Sequence, residues 1–359
     1  MDPMHVETFY TTLERSLELF DRRARRLGLR ATTKAELETW RREVRTELRR
    51  ITGIARMESC PPNPERLESE RLEGYRRETW LLGVEPNVRM PLYVLVPDGL
   101  EAGERRPCVI APHGHGSAGK CAPAGRRDIP AVRETCEKHN YDYGVDFVRR
   151  GYVVFCPDAR GFGERRESML QGETREHFMN STCVPLNHIA ISLGGSLTGQ
   201  WTWDLMRLVD WIRERPDCDP DRIACAGLSG GGLQTLWLAA MDERVRCAVV
   251  SGYFYGYKDS LLRLSGNCGC NYVPGLWELV DMGDLGALVA PRLLLVETGT
   301  RDDLNGERGV ANAVEQVQIA RHAYRLLGAE DRLRHVVFDG PHVWHGAETP
   351  AFLARMGRE

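Results

Sequence analysis

The chain contains no run of about eighteen consecutive apolar residues, so none of its 359 residues form a stretch suited to crossing a bilayer as a helix. Met1 to Phe20 lacks the basic region and apolar run of a secretory signal, and a cytoplasmic protein is expected. A surplus of either charge is also missing. With 48 Lys+Arg against 51 Asp+Glu and a net charge of −3, there is no electrostatic footprint for nucleic acid or an anionic membrane. No CxxC pair occurs among the eleven cysteines, an odd number, and several (Cys108, Cys156, Cys225, Cys247) fall in apparent strands. Reduced, mostly buried thiols are expected rather than a disulfide framework. Repeats and low-complexity tracts are absent. What remains is an ordinary globular composition, 42% apolar and 28% charged, with length for one large domain or two smaller ones.

The first segment differs from the rest in pattern and is net basic. Val6, Phe9, Leu13, Leu17, Phe20, Ala24 and Leu27 recur at steps of three and four and stop at Gly28, which predicts one long amphipathic helix. Thr33 and Glu36 have the spacing of a capping box, and Leu37, Trp40, Val44, Leu48 and Ile51 continue the period through a second helix. Residues 1–60 therefore read as a helical hairpin and 61–359 as the main domain, joined by a Pro-containing linker at Cys60 to Pro64. The arginines of the hairpin (Arg22, Arg23, Arg25, Arg26, Arg41, Arg42, Arg45, Arg49 and Arg50) interleave with glutamates and read as a solvated helix face rather than a nucleic-acid surface. Its apolar stripe would bury against the main domain or against another subunit, which would make a homo-oligomer.

From Tyr75 onward the pattern becomes short apolar runs alternating with helical segments, the signature of an α/β fold. Strands are expected at 77–83, 92–96, 108–111, 152–156, 223–228, 247–251, 292–297 and 334–338. Helices are expected at 143–150, 202–215, 232–241 and 312–327. Ligands in such folds bind at the C-terminal ends of the strands.

Chemistry concentrates at those ends. Gly227-Leu-Ser-Gly-Gly follows an apolar strand and opens a helix, the context in which GxSxG presents a nucleophile. A turn this sharp strains the backbone at Ser229 and needs Gly227 and Gly231 without side chains, while the Gly230 amide at the helix start faces the oxygen of an acyl group under attack. A serine needs a base and an orienting acid. Thr298-Gly-Thr-Arg-Asp-Asp offers Asp302 or Asp303 after one later strand, and Asp339-Gly-Pro-His-Val-Trp-His offers His342 or His345 after the next. Asp302 is preferred because it leaves the turn directly after the strand, with Asp303 as a capping residue. His342 is preferred because it follows the tight Gly340-Pro341 turn. The His113-Gly-His-Gly turn supplies a second oxyanion donor, the His115 amide. A metal pair formed by His113 and His115 is disfavoured because no matched ligand cluster is visible in the sequence.

Pro-His-Gly-His-Gly at 112–116, Pro-Asp-Ala-Arg-Gly-Phe-Gly-Glu at 157–164, the serine turn, Gly-Thr-Arg-Asp at 299–302 and Gly-Pro-His at 340–342 resemble the α/β-hydrolase superfamily. The likeness is greatest to its acetyl xylan esterase-like and dienelactone-hydrolase-like branch. Asn-Cys-Gly-Cys-Asn-Tyr-Val-Pro-Gly-Leu at 267–276 resembles a segment of bacterial hydrolases with an N-terminal helical extension. The resemblance implies a mostly parallel central sheet with helices on both faces. It also implies a Ser229–His342–Asp302 triad with His115 and Gly230 as amide donors, and hydrolysis of short-acyl esters, including acetylated carbohydrates. The implied partner is a small-molecule ester, and no cofactor or metal is expected. Pro341 departs from the Gly that many relatives place before the histidine. No GxSRGG-type arginine follows Ser229, whose next residue is Gly230, which counts against the glucuronoyl esterase relatives.

Two other readings are open to the sequence: a prolyl-oligopeptidase-like peptidase shares the triad order, but the chain lacks a propeller's length, and a silent scaffold used for binding requires a missing triad member, yet all three candidates are present. Arg160 and Glu164 are expected to pair and hold their loop. Trp201, Trp203 and Trp211 are expected to pack. Cys268 and Cys270 are read as a tight loop rather than a metal or redox pair, and Tyr253, Phe254, Tyr255 and Tyr257 are candidates for the pocket wall.

Overall fold

The computed structural model describes residues 8–172, 174–263 and 267–357; Val6 of the expected first helix lies outside them. Helix α1 (Leu13–Arg23) and α2 (Lys34–Thr52) precede the strands β1 (Glu65–Leu72), β2 (Tyr75–Glu85), β3 (Val88–Pro97) and β4 (Arg106–Ile110). Then follow α3 (Pro130–His139), α4 (Tyr143–Arg149), β5 (Val153–Pro157), α5 (Arg175–Met179), α6 (Cys183–Ser192), α7 (Leu197–Glu214), β6 (Cys218–Leu228) and α8 (Gly230–Met241). The chain closes with β7 (Val245–Ser251), α9 (Leu276–Leu279), α10 (Met282–Val289), β8 (Leu293–Gly299), α11 (Val310–Leu327), β9 (Leu333–Phe338) and α12 (Thr349–Leu353).

The nine strands form one sheet in the order β1-β2-β3-β5-β4-β6-β7-β8-β9. The pairings from β1 to β5 along the edge are antiparallel, and those from β5 to β9 are parallel. Strand alternation divides the core between two faces. Val94, Val96 and Phe155 pack with α2, α7 and α8 on one side, whereas Tyr93, Leu95 and Val154 pack with α3 and α4 on the other. From β4 the chain crosses to β5 on one side and returns to β6 on the other. The loops leaving β4 and β6 therefore open at a topological switch point, where an α/β sheet has its crevice.

Each expected strand and helix has a counterpart in the structure. Strand β1 was not legible because its sequence, Glu-Arg-Leu-Glu-Ser-Glu-Arg-Leu, lacks a buried face; it is an exposed edge whose charges discourage further pairing. The first helix is shorter than its apolar period, ending at Arg23 instead of running to Leu27. Its continuation is broken because the amides of Arg25, Arg26 and Leu27 donate to the carbonyls of Trp277, Glu278 and Leu279. Arg25 takes a left-handed φ of 55° and forks onto the buried Asp284 carboxylate with two 2.9 Å bonds. The Thr33–Glu36 capping box is present, and Leu37, Val44 and Leu48 of α2 are fully buried against the main body. Arg41 and Arg45 depart from the solvated-face reading: Arg41 is buried and donates to the Ala290 carbonyl, and Arg45 donates to that of Ala240 at 2.9 Å.

Candidate active site

Ser229 sits between β6 and α8 with φ 61° and ψ −121°, a conformation that a non-glycine residue adopts only when its surroundings impose it. Those surroundings are tight. A Cβ on Gly231 would lie 2.3 Å from the Pro112 carbonyl oxygen, and one on Gly227 would lie 2.6 Å from the Gly231 carbonyl carbon. The strand, the helix and the turn after β4 meet at these two positions. A Cβ on Gly114 would lie 2.9 Å from the Gly230 nitrogen, so the HGHG turn lies directly against the first amide of α8. As the first residue of its helix, Gly230 has an N–H without an intrahelical acceptor.

Hydrogen bonds stitch successive strand ends together. Ser229 N donates to Ser251 O at 2.9 Å, Gly252 N to Glu297 O at 3.0 Å, and Arg301 N to Gly340 O at 2.9 Å. These bonds set the loops carrying the serine, the aspartate and the histidine in register. His342 Nδ1 lies 2.7 Å from Asp302 Oδ2, and the aspartate is nearly buried, its other oxygen accepting from the Leu304 amide at 3.0 Å. The imidazole rests over Gly252, where a Cβ would approach its Cε1 to 2.8 Å. One cavity of about 510 Å³ is lined by Ser229, Gly230, His115, Asp302 and His342. Asp303 also faces this cavity but makes no bond to His342, and His345 stacks on Phe338 with centroids 4.4 Å apart.

A family model described as Abhydrolase family matches residues 19–337. The chain belongs to that family. YtaP of Bacillus subtilis (strain 168), a candidate hydrolase, is 28% identical over 299 residues, covering 80% of this chain and 92% of its own. Among solved structures, BF1801 of Bacteroides fragilis NCTC 9343, a candidate acetyl xylan esterase, superposes with a TM-score of 0.72 at 19% identity, covering 94% of this chain and 84% of its own. Acetyl xylan esterase 1 of Thermoanaerobacterium sp. JW/SL YS485 gives a TM-score of 0.58 at 18% identity, with 97% and 100% covered. A glucuronoyl esterase of Solibacter usitatus gives 0.63 at 14% identity, with 91% and 95% covered. The Abhydrolase assignment makes the chain a hydrolase, and the structural neighbours share its fold.

Around the cavity of this Abhydrolase member, His113 is fully committed elsewhere. Its Nε2 accepts from the Ala159 amide at 3.1 Å, and burial pushes its pKa down to about 4. It holds the turn, and the two histidines do not act as a pair. Arg160 and Glu164 do not pair with each other. Arg160 binds Asp204 at 2.7 Å and Glu85 at 2.8 Å, whereas Glu164 meets Lys120 at 3.2 Å, because the buried Asp204 and the half-buried Glu85 outcompete an exposed carboxylate for the guanidinium. Tyr253 and Tyr255 line the cavity; Phe254 turns toward Gly286 and Tyr257 stacks on Trp277. Trp201, Trp203 and Trp211 are packing residues, as their burial shows.

Sequence reasoning missed several residues. His139 Nδ1 bonds the His342 carbonyl at 2.9 Å, and Asn140 donates to the Trp344 carbonyl at 3.0 Å, so the end of α3 fixes the histidine loop. Tyr141, also unflagged, lines the cavity, with its hydroxyl beside Gly114. Nothing in their spacing links these residues to a loop two hundred positions away. Cys268 and Cys270 share a tight turn, as read, but the turn brings them to Cys183 and His115. Burial pushes the Cys183 and Cys270 thiols up, and hydrogen bonds from those two neighbours hold Cys268 down.

Below the histidine, burial raises the pKa of Glu297 to about 7, while its Oε1 accepts from the Gly346 amide at 2.9 Å. Folding binds this proton more tightly than the unfolded chain does, so the contribution is complete below the ordinary glutamate pKa and is lost as pH rises toward 7. Glu297→Gln is expected to raise the urea-unfolding free energy at pH 8 by on the order of 2 kcal/mol, with little change near pH 4.5. Asp281, also raised to about 7 by burial, leaves a residual slope of the same sign in that variant.

Proposed function

We propose that this hydrolase is a serine carboxylesterase for short-acyl esters, acetylated carbohydrates among them. The observation that carries the reading is the 2.7 Å Asp302–His342 pair sharing one cavity with a serine held at a strained, positive φ. In this reading Ser229 Oγ attacks the ester carbonyl as its proton passes to His342 Nε2, forming the Oγ–C bond. The tetrahedral oxyanion accepts hydrogen bonds from the His115 and Gly230 amides. The C–O bond to the alcohol then breaks, and the leaving oxygen takes the imidazolium proton. Water, deprotonated by the same imidazole, attacks the acyl-enzyme, and Ser229 recovers its proton as the carboxylate departs. Asp302 orients the ring and stabilises its charged form. The free, mostly buried thiols suit a reducing compartment, which favours the cytoplasm.

A fluorophosphonate probe is expected to label the folded protein on the peptide containing Ser229. Rates across phenyl esters of increasing acyl length should fall steeply beyond the shortest chains, because Leu233, Tyr253 and Tyr255 wall the cavity. Acetylated sugars should be turned over. Absence of labelling would make the chain a silent scaffold, and turnover of peptides without turnover of esters would make it a peptidase.

A further inference from the structure

A second constellation of reactive side chains lies beside the same cavity, which His115 and Cys268 line, and its side chains take no part in acyl transfer. His115, Cys183, Cys268 and Cys270 each offer one ligand atom, and the four atoms lie within 4.8 Å of one another. They come from three separate places: the turn after β4, the first residue of α6, and the loop before α9. We infer that these four residues form a tetrahedral site for a thiophilic divalent metal ion, Zn²⁺ foremost, which ties the oxyanion turn to the loop that walls the cavity.

Geometry and donor chemistry agree. For Zn–S of about 2.3 Å and Zn–N of about 2.0–2.1 Å, a tetrahedron has an S···N edge of about 3.5–3.6 Å. Cys270 Sγ and His115 Nε2 are 3.6 Å apart. Three cysteines and a histidine form a closed structural zinc set, with no position left for water or substrate. Uptake places three thiolates and a neutral imidazole on Zn²⁺, a net charge of −1, and releases the thiol protons to solvent.

The surrounding residues hold the ligands in place. Asn271 Nδ2 approaches Cys270 Sγ at 3.7 Å and donates to the Cys268 carbonyl at 3.1 Å, while its Oδ1 accepts from the Tyr253 hydroxyl at 2.7 Å. Asn187, on the helix that begins at Cys183, donates to the carbonyls of Gly269 at 2.6 Å and Tyr272 at 3.2 Å. Such outer-shell hydrogen bonds orient ligands and tune thiolates in metal sites. His115 has two separable parts: its imidazole faces the sulfurs, while its backbone amide belongs to the turn lying against Gly230. A metal on the ring would therefore hold that amide in place. Metal binding stands independently of the esterase reading; only its effect on turnover rests on it.

The test uses the full chain, expressed with zinc in the medium and purified without chelator or metal-affinity capture. Elemental analysis is expected to find about one Zn per chain, and chelator-stripped, reduced protein should take up about one Co²⁺ with the intense thiolate charge-transfer and visible bands of a tetrahedral site. Cys183→Ser and Cys270→Ser should lose stoichiometric uptake, and Asn271→Ala should weaken Zn²⁺ binding about 10-fold or more. If the serine variants fail to fold, the cobalt spectrum of the unaltered protein still decides. Stripping should lower kcat on phenyl acetate, and Zn²⁺ should restore it. Zinc retained in a protein that no fluorophosphonate labels would leave the site standing and the esterase reading rejected. Less than about one metal per ten chains with a cobalt spectrum free of thiolate bands would overturn the metal site, as would a disulfide between any two of the three cysteines in freshly purified protein.

Discussion

Ser229→Ala is expected to lower kcat on phenyl acetate by about 10⁴-fold to 10⁶-fold, with KM little changed, because in the proposed mechanism the alcohol makes and breaks the acyl bond and does not bind the substrate. The residual rate would be that of water attacking an ester held against the two amides. Asp302→Asn should cost about 10⁴-fold, since an amide facing His342 Nδ1 favours the wrong tautomer and cannot stabilise the imidazolium. Asp303→Asn and His345→Ala provide the contrast. Neither side chain bonds the imidazole, and each should change kcat by no more than about 3-fold, a loss of roughly 0.6 kcal/mol in transition-state energy. Steady-state kinetics on all four variants, each checked for native circular dichroism, measures this. An Asp303→Asn loss equal to that of Asp302→Asn would move the acid role to the neighbouring residue.

The parts of the site visible in the sequence share a physical property: each is constrained locally. Ser229 needs glycines on both sides to make its turn, and His342 follows a Gly-Pro turn, so their residue types mark their backbone conformations. The central strands β4 to β8 carry buried runs rich in Val, Ile, Leu, Cys and Ala, and burial on both faces leaves a compositional trace. What was hidden depends on partners remote in the chain. The first helix has the period to continue to Leu27, but the carbonyls of 277–279 and the Asp284 carboxylate compete successfully for its last turn. Arg160 is one turn from Glu164, yet Glu85 and Asp204 hold it. The Cys-x-Cys loop carries no local trace of its two companions, which lie 85 and 153 positions upstream of Cys268, in different elements.

Asp158→Ala is expected to destabilise the fold by about 3–5 kcal/mol, the largest effect foreseen for a residue that does not face the reacting atoms. Lys120 and Asp158 are almost fully buried, with Nζ 2.8 Å from Oδ2, and the same carboxylate accepts from the Lys120 amide at 2.6 Å and the Glu164 amide at 3.1 Å. Proximity to Asp158 and Glu164 keeps the Lys120 ammonium charged against the opposing effect of burial. Truncating the carboxylate leaves that charge with only the exposed Glu164 carboxylate at 3.2 Å and two amides without their acceptor, which is why removing one partner costs more than the pair contributes. Lys120→Met combined with Asp158→Ala should recover part of the loss, because the buried charge is gone while the amides remain unpaired. Urea unfolding of both variants gives the two free energies. A loss below about 1 kcal/mol for Asp158→Ala would show that the pair is solvated in solution and not closed as described. Because Lys120 lies five residues after His115, the single variant should also loosen the oxyanion turn. Its kcat on phenyl acetate should then fall while fluorophosphonate labelling slows, whereas a purely global loss of stability would leave both unchanged at temperatures well below unfolding.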